Sequence, residues 1–99
     1  FDEKAQRKFL VPAAAAPLRA LAEQVEGLED FRAAEIEKVV TAWLESSGLA
    51  LKEVAQPARV ALTGRSASPG LFEVMEILGR ERSLARLRAG ALLAEQANG

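Results

Sequence analysis

The sequence contains no cysteine, no histidine and no tyrosine, and its aromatic residues are four phenylalanines and one tryptophan. Without cysteine there are no disulfides, thiolate zinc sites, iron–sulfur clusters or thiol nucleophiles. Without histidine the commonest general base near neutral pH is missing, and with it the Ser-His and Cys-His nucleophile pairs. Carboxylates, lysines and hydroxyls remain, and no catalytic arrangement of them stands out. Long apolar runs are also missing. The stretch from Phe9 to Leu18 is broken by Pro12 and Pro17 and followed by Arg19, well short of the roughly 20 residues that span a bilayer. Asp2 and Glu3 stand where a signal peptide would be basic. A cytoplasmic location is expected. The first residue is Phe1 and the only methionine is Met75, so the chain is expected to be part of a longer protein.

What is present suits one soluble domain. There are 99 residues, 49% apolar and 27% charged, close to globular averages. Alanine and leucine dominate the apolar set, which favours helix over strand. The net charge is −1 but unevenly spread. Residues 22–47 hold Arg32 and Lys38 against seven acids, whereas residues 59–88 hold six arginines against Glu73, Glu76 and Glu81. Such asymmetry is compatible with an anionic partner for the C-terminal side, or with a solvated helix face carrying local Glu–Arg pairs.

Apolar spacing predicts an all-α bundle of about five to six short helices. Leu18, Leu21, Val25 and Leu28 recur three to four apart, with Pro12 or Pro17 near the start and Gly27 as the stop. Ile36, Val39, Val40, Trp43 and Leu44 form the clearest stripe, ending at Gly48, and place Trp43 in the core. Val54, Ala58, Ala61 and Leu62 share a face up to Gly64, with Pro57 at the start of that segment or kinking it. After the polar loop RSASPG, Ser68 and Pro69 suit an N-cap and first turn. Leu71, Phe72, Met75, Ile77 and Leu78 follow, then Gly79. Leu84, Leu87, Ala91 and Leu92 make the last inner stripe. No strand alternation and no fixed-period repeat is present.

Two motif readings fail. In TGRSASPG the glycines are separated by five residues rather than four, and no Lys-Ser/Thr pair follows, so it is not a phosphate loop. Glu73 and Glu76 are one turn apart but lack further donors for a metal. The region 56–71 is more informative. It combines Arg59, a glycine stop, a polar loop, a helix start whose N–H groups favour phosphate or carbonyl acceptors, and the apolar pair Leu71 and Phe72. Arginine and flat apolar surface suit unstacked bases of single-stranded RNA. Adjacent helix positions lie about 100° apart, so one of the pair faces inward and the other is partly exposed. On the residues alone, Arg59 equally suits a surface pair with Glu53 or a carbonyl. A helical protein–protein module is the alternative.

The segment QPARVALTGRSASPGLFEVMEILGRERSLARL, residues 56–87, closely resembles the C-terminal anticodon-binding region of bacterial glutamyl-tRNA synthetases. It matches at Gln56, Pro57, Arg59, Ala61–Thr63, Gly64, Ser68, Pro69, Leu71–Glu73, Leu78, Gly79, Glu81 and Arg82. Residues 1–4 and 8–10 match the start of that subdomain, and residues 22–47 match in character only.

The resemblance implies an all-helical domain that binds the anticodon loop of tRNA and carries no catalytic site. It belongs to an enzyme that attaches glutamate to tRNA with ATP and magnesium; the ATP-binding signatures of that enzyme are not in this sequence. By position it implies RNA contacts at Arg59, Ser68, Pro69, Leu71 and Phe72, with Arg65, Arg80 and Arg82 as candidate phosphate contacts. The family's arginine for the third anticodon base has no match here, which leaves open whether glutamine tRNA is also a substrate. A monomer is expected.

Overall fold

A computed structural model describes residues 3–65 and 70–97. The described residues form six α-helices and one 3-10 turn: α1 (Glu3–Phe9), the turn Pro12–Ala14, α2 (Ala15–Glu26), α3 (Ala33–Ser47), α4 (Leu51–Thr63), α5 (Leu71–Leu78) and α6 (Arg80–Gln96). No strand occurs among them. The all-α reading and the helix number therefore hold. α1 is the element the spacing did not predict: it buries only Ala5, so it has no apolar stripe to read.

The predicted stripes form the core. Leu18, Leu21 and Val25 of α2, Ile36 and Val40 of α3, and Val54, Ala58, Ala61 and Leu62 of α4 are buried, as are Leu84, Leu87, Ala91 and Ala94 of α6. Val39 and Trp43 are half-buried, and Trp43 packs against the core edge. Leu92 is a correction. It is 52% exposed, because the α6 stripe runs through Gly90, Ala91 and Ala94, leaving the neighbouring position on the outer side.

α6 is the central wall, packed along α2 and α4 and also touching α5 and the 3-10 turn. Arg19 pairs with Glu95, and Glu26 with Arg88 at 2.9 Å. The start of α2 thus meets the end of α6, so the two run antiparallel. α4 approaches α6 where Gly90 faces Ala61. A Cβ on Gly90 would stand 2.5 Å from the Ala61 Cβ, so only glycine admits this spacing.

The prolines fall in two classes. Pro12 opens the 3-10 turn and Pro17 is the third residue of α2, where a missing N–H costs nothing because the first turn has no intrahelical acceptor. For Pro57, a position at the start of the segment is corrected. α4 begins six residues earlier at Leu51, and Pro57 is buried inside it. An interior proline removes one backbone bond and costs about 3 kcal/mol; burial of Val54, Ala55 and Ala58 around it keeps the helix continuous.

Candidate nucleic-acid interface

The site is built where α4 ends and α5 begins, two helices that pack against each other. Arg59 is a half-buried residue of the last turn and a half of α4. Glu53 does not pair with it. Its Oε2 instead accepts from the Ala50 N–H at 3.3 Å, at the start of the same helix. The end of α4 is closed tightly. Gly64 has φ 80°, and its N–H donates to the Val60 carbonyl at 2.8 Å, the left-handed helix stop that glycine adopts without a Cβ penalty. The Thr63 hydroxyl donates to the Arg59 carbonyl at 2.8 Å and accepts from the Arg65 N–H at 3.1 Å. Arg59 and Arg65 therefore bracket one ordered turn.

Ser68 and Pro69 lie outside the described residues. The helix cap assigned to Ser68 is corrected: α5 begins at Leu71, with Gly70 as its N-cap. The Glu73 carboxylate folds back over Gly70, closely enough that a Cβ there would overlap it. A carboxylate at this end is favourable for the helix dipole. Leu71 and Phe72 divide as their spacing requires. Leu71 is 4% exposed and packs in the core, so Phe72, half-buried at the core edge, is the member of the pair that presents a face to solvent.

The arginines sort by what they already hold. Arg88 and Arg19 pair with carboxylates of the facing helix. Arg86 donates to the Leu62 carbonyl at 2.7 Å. Arg80 lies over the Phe31 ring, 5.8 Å from its centroid, which commits part of its guanidinium. Arg32 holds Asp30 through hydrogen bonds of 2.6–2.9 Å. That bond is the main reason the Asp30 carboxyl is held below the ordinary carboxylate range. Arg59, Arg65 and Arg82 have no carboxylate, carbonyl or ring partner among the described residues.

Glu76 has a role that spacing did not reveal. Its Oε1 accepts from the Ala33 N–H at 2.6 Å, capping α3 from another helix. Glu73 and Glu76 thus serve two different helix starts. Among the described residues no cluster of three or more His, Cys, Asp or Glu could hold a metal, and no helix is long and apolar enough to cross a membrane.

Comparison with known proteins gives the family of the chain. A model of the anticodon binding domain family matches residues 1–91. The chain belongs to the anticodon-binding domain family. This anticodon-binding domain is 47% identical over 91 residues to glutamate–tRNA ligase 2 of Chelativorans sp. (strain BNC1), covering 92% of this chain and 19% of that protein. It is 45% identical over 87 residues to glutamate–tRNA ligase 1 of Beijerinckia indica subsp. indica, covering 88% and 18%. The solved glutamate tRNA ligase from Elizabethkingia meningosepticum, in complex with its amino acid, superposes with a TM-score of 0.84 at 32% identity, over 93% of this chain and 18% of that one. The anticodon-binding domain thus spans less than a fifth of these relatives, and it matches only that part of them.

Proposed function

We propose that this chain reads the anticodon loop of tRNA on behalf of a glutamate–tRNA ligase. The observation that carries the reading is the turn at Gly64. It is flanked by Arg59 and Arg65, which have no internal partner among the described residues, in a chain of the anticodon-binding family. Arg59 supplies donors for base edges. Phe72 supplies an apolar face for an unstacked base, with Leu71 beneath it supporting the start of α5. Arg65 and Arg82 meet backbone phosphates. Ser68 and Pro69 belong to the same proposed surface by their position in the sequence.

Joining glutamate to tRNA, with its need for ATP and magnesium, falls to the rest of such a ligase. The residues here do not fit either group: no acidic cluster is present among those described, and the loop after Gly64 lacks the Lys-Ser/Thr pair of a phosphate loop. The domain acts as one copy, in the cytoplasm where charged tRNA is used.

The test is an NMR titration of the isotopically labelled chain with the anticodon stem-loop of a glutamate tRNA. Shifts should cluster at Arg59, Arg65 and Phe72, and Arg59→Ala should weaken binding by about tenfold. An unmoved spectrum at about millimolar RNA overturns the reading.

A further inference from the structure

The turn that carries Arg59 and Arg65 is held from a distant part of the chain. The last carbonyls of a helix have no intrahelical donor and carry the negative end of its dipole. At the end of α4, the Val60 carbonyl accepts from Gly64 and the Arg59 carbonyl accepts from the Thr63 hydroxyl. The Leu62 carbonyl lies just beyond these two, in the last turn of the helix. Its partner is Arg86 of α6, whose Nη1 donates across 2.7 Å from 24 residues away. A charged donor makes a stronger bond to a carbonyl than a neutral one. Around it is an open cleft of about 220 Å³ walled by Ala61, Leu62, Thr63, Gly64 and Arg86. At this end of α4 the link to α6 is thus a hydrogen bond at Leu62 beside a close contact at the preceding residue, where Ala61 meets Gly90. Arg86 itself is set by Leu84 and Leu87, which are buried on either side of it.

We infer that Arg86 is a positioning residue for RNA recognition: by holding the Leu62 carbonyl it fixes the turn from which Arg59 and Arg65 project, and it does not itself contact RNA. The inference rests on the proposed anticodon surface. A surface that is ordered before binding loses less entropy on binding. Without the clamp the Leu62 carbonyl turns to water, the last turn of α4 loosens, and the two arginines lose their fixed spacing. Arg82, one turn earlier on the same face of α6, has no such bond and remains available to phosphate.

The test compares Arg86→Met, Arg86→Lys and Arg59→Met in the 99-residue chain, using fluorescence anisotropy with the same stem-loop over a range of salt. Circular dichroism confirms folding. Arg86→Met should weaken binding by about tenfold with an unchanged slope of log affinity against log salt, since no phosphate contact is lost. Arg86→Lys, which can still donate to the carbonyl, should recover binding to within about threefold of the parent. If Arg86→Met does not fold, Arg86→Gln takes its place: its uncharged amide makes a weaker bond to the carbonyl, so binding should fall to between the Met and Lys expectations, again with an unchanged slope. Unchanged affinity in the Arg86 variants overturns the inference. So does a slope reduced by about 0.7, the mark of a lost phosphate contact to a single strand. Arg59→Met separates the two levels. If it binds like the parent, the anticodon surface itself is wrong; if it alone binds weakly, only the role of Arg86 falls.

Discussion

Six arginines lie between Arg59 and Arg88, and a charge count treats them alike. Their surroundings do not. Arg88 and Arg86 are used within the fold, and Arg80 is partly engaged by Phe31. Arg59, Arg65 and Arg82 are the three that face outward without a partner among the described residues. The carboxylates divide in the same manner. Glu76 is a helix cap supplied from elsewhere in the chain, and its bond to the Ala33 N–H joins α5 to α3. Replacing a capping side chain costs about 1 kcal/mol, so Glu76→Ala should lower the unfolding free energy by that amount, read as a lower midpoint of urea unfolding. Glu37→Ala, on an exposed and uncapped position of α3, should leave it unchanged. Neither Glu76 nor Arg86 could be assigned from the sequence, because each acts on the end of a different helix and no local spacing records that.

At the scale of elements, the sequence is most legible where a helix buries one face. The stripes of α2, α3 and α4 could be read residue by residue because each leaves its other face polar. α5 and α6 were harder for opposite reasons. α5 is apolar on nearly every side, so spacing could not tell that Ile77 would be 81% exposed. α6 could be read at Leu84, Leu87 and Ala91, but the buried Gly90 and Ala94 are too small to show the course of the stripe, which spacing continues onto Leu92 instead. Pro57 is expected at a helix start or at a kink because intrinsic preference argues for either; its place inside α4, buried among its neighbours, sets the first aside. The small residues of α6 have a direct test. Gly90→Ala gains about 1 kcal/mol in helix propensity, yet its Cβ meets that of Ala61 at 2.5 Å. Overpacking of this kind costs about 1–3 kcal/mol. The variant should melt at a lower temperature than the parent, and adding Ala61→Gly should recover part of the loss. A higher melting temperature for Gly90→Ala would show that α4 and α6 can separate cheaply.

Across the whole molecule, the sequence pointed to one region for the proposed surface. Composition excluded thiol and imidazole chemistry, and the residues around Gly64 pointed to RNA. What could not be read was how many of the basic residues are available. If all six arginines of the C-terminal side met phosphates, binding to a single-stranded loop would fall with salt at a slope near −4; with Arg65 and Arg82 joined at most by Arg59, it should be about −2 or shallower. Affinity measured at several salt concentrations decides between these. The position of α6 has one more consequence. Leu18, Val25 and Ala61 belong to helices made early, yet the wall that covers them is the helix from Arg80 to Gln96. A ribosome releases the chain in order, and domains close as units. During synthesis, therefore, the core of this domain stays open to water until its last helix emerges, and the turn at Gly64 waits for the same moment to receive its clamp.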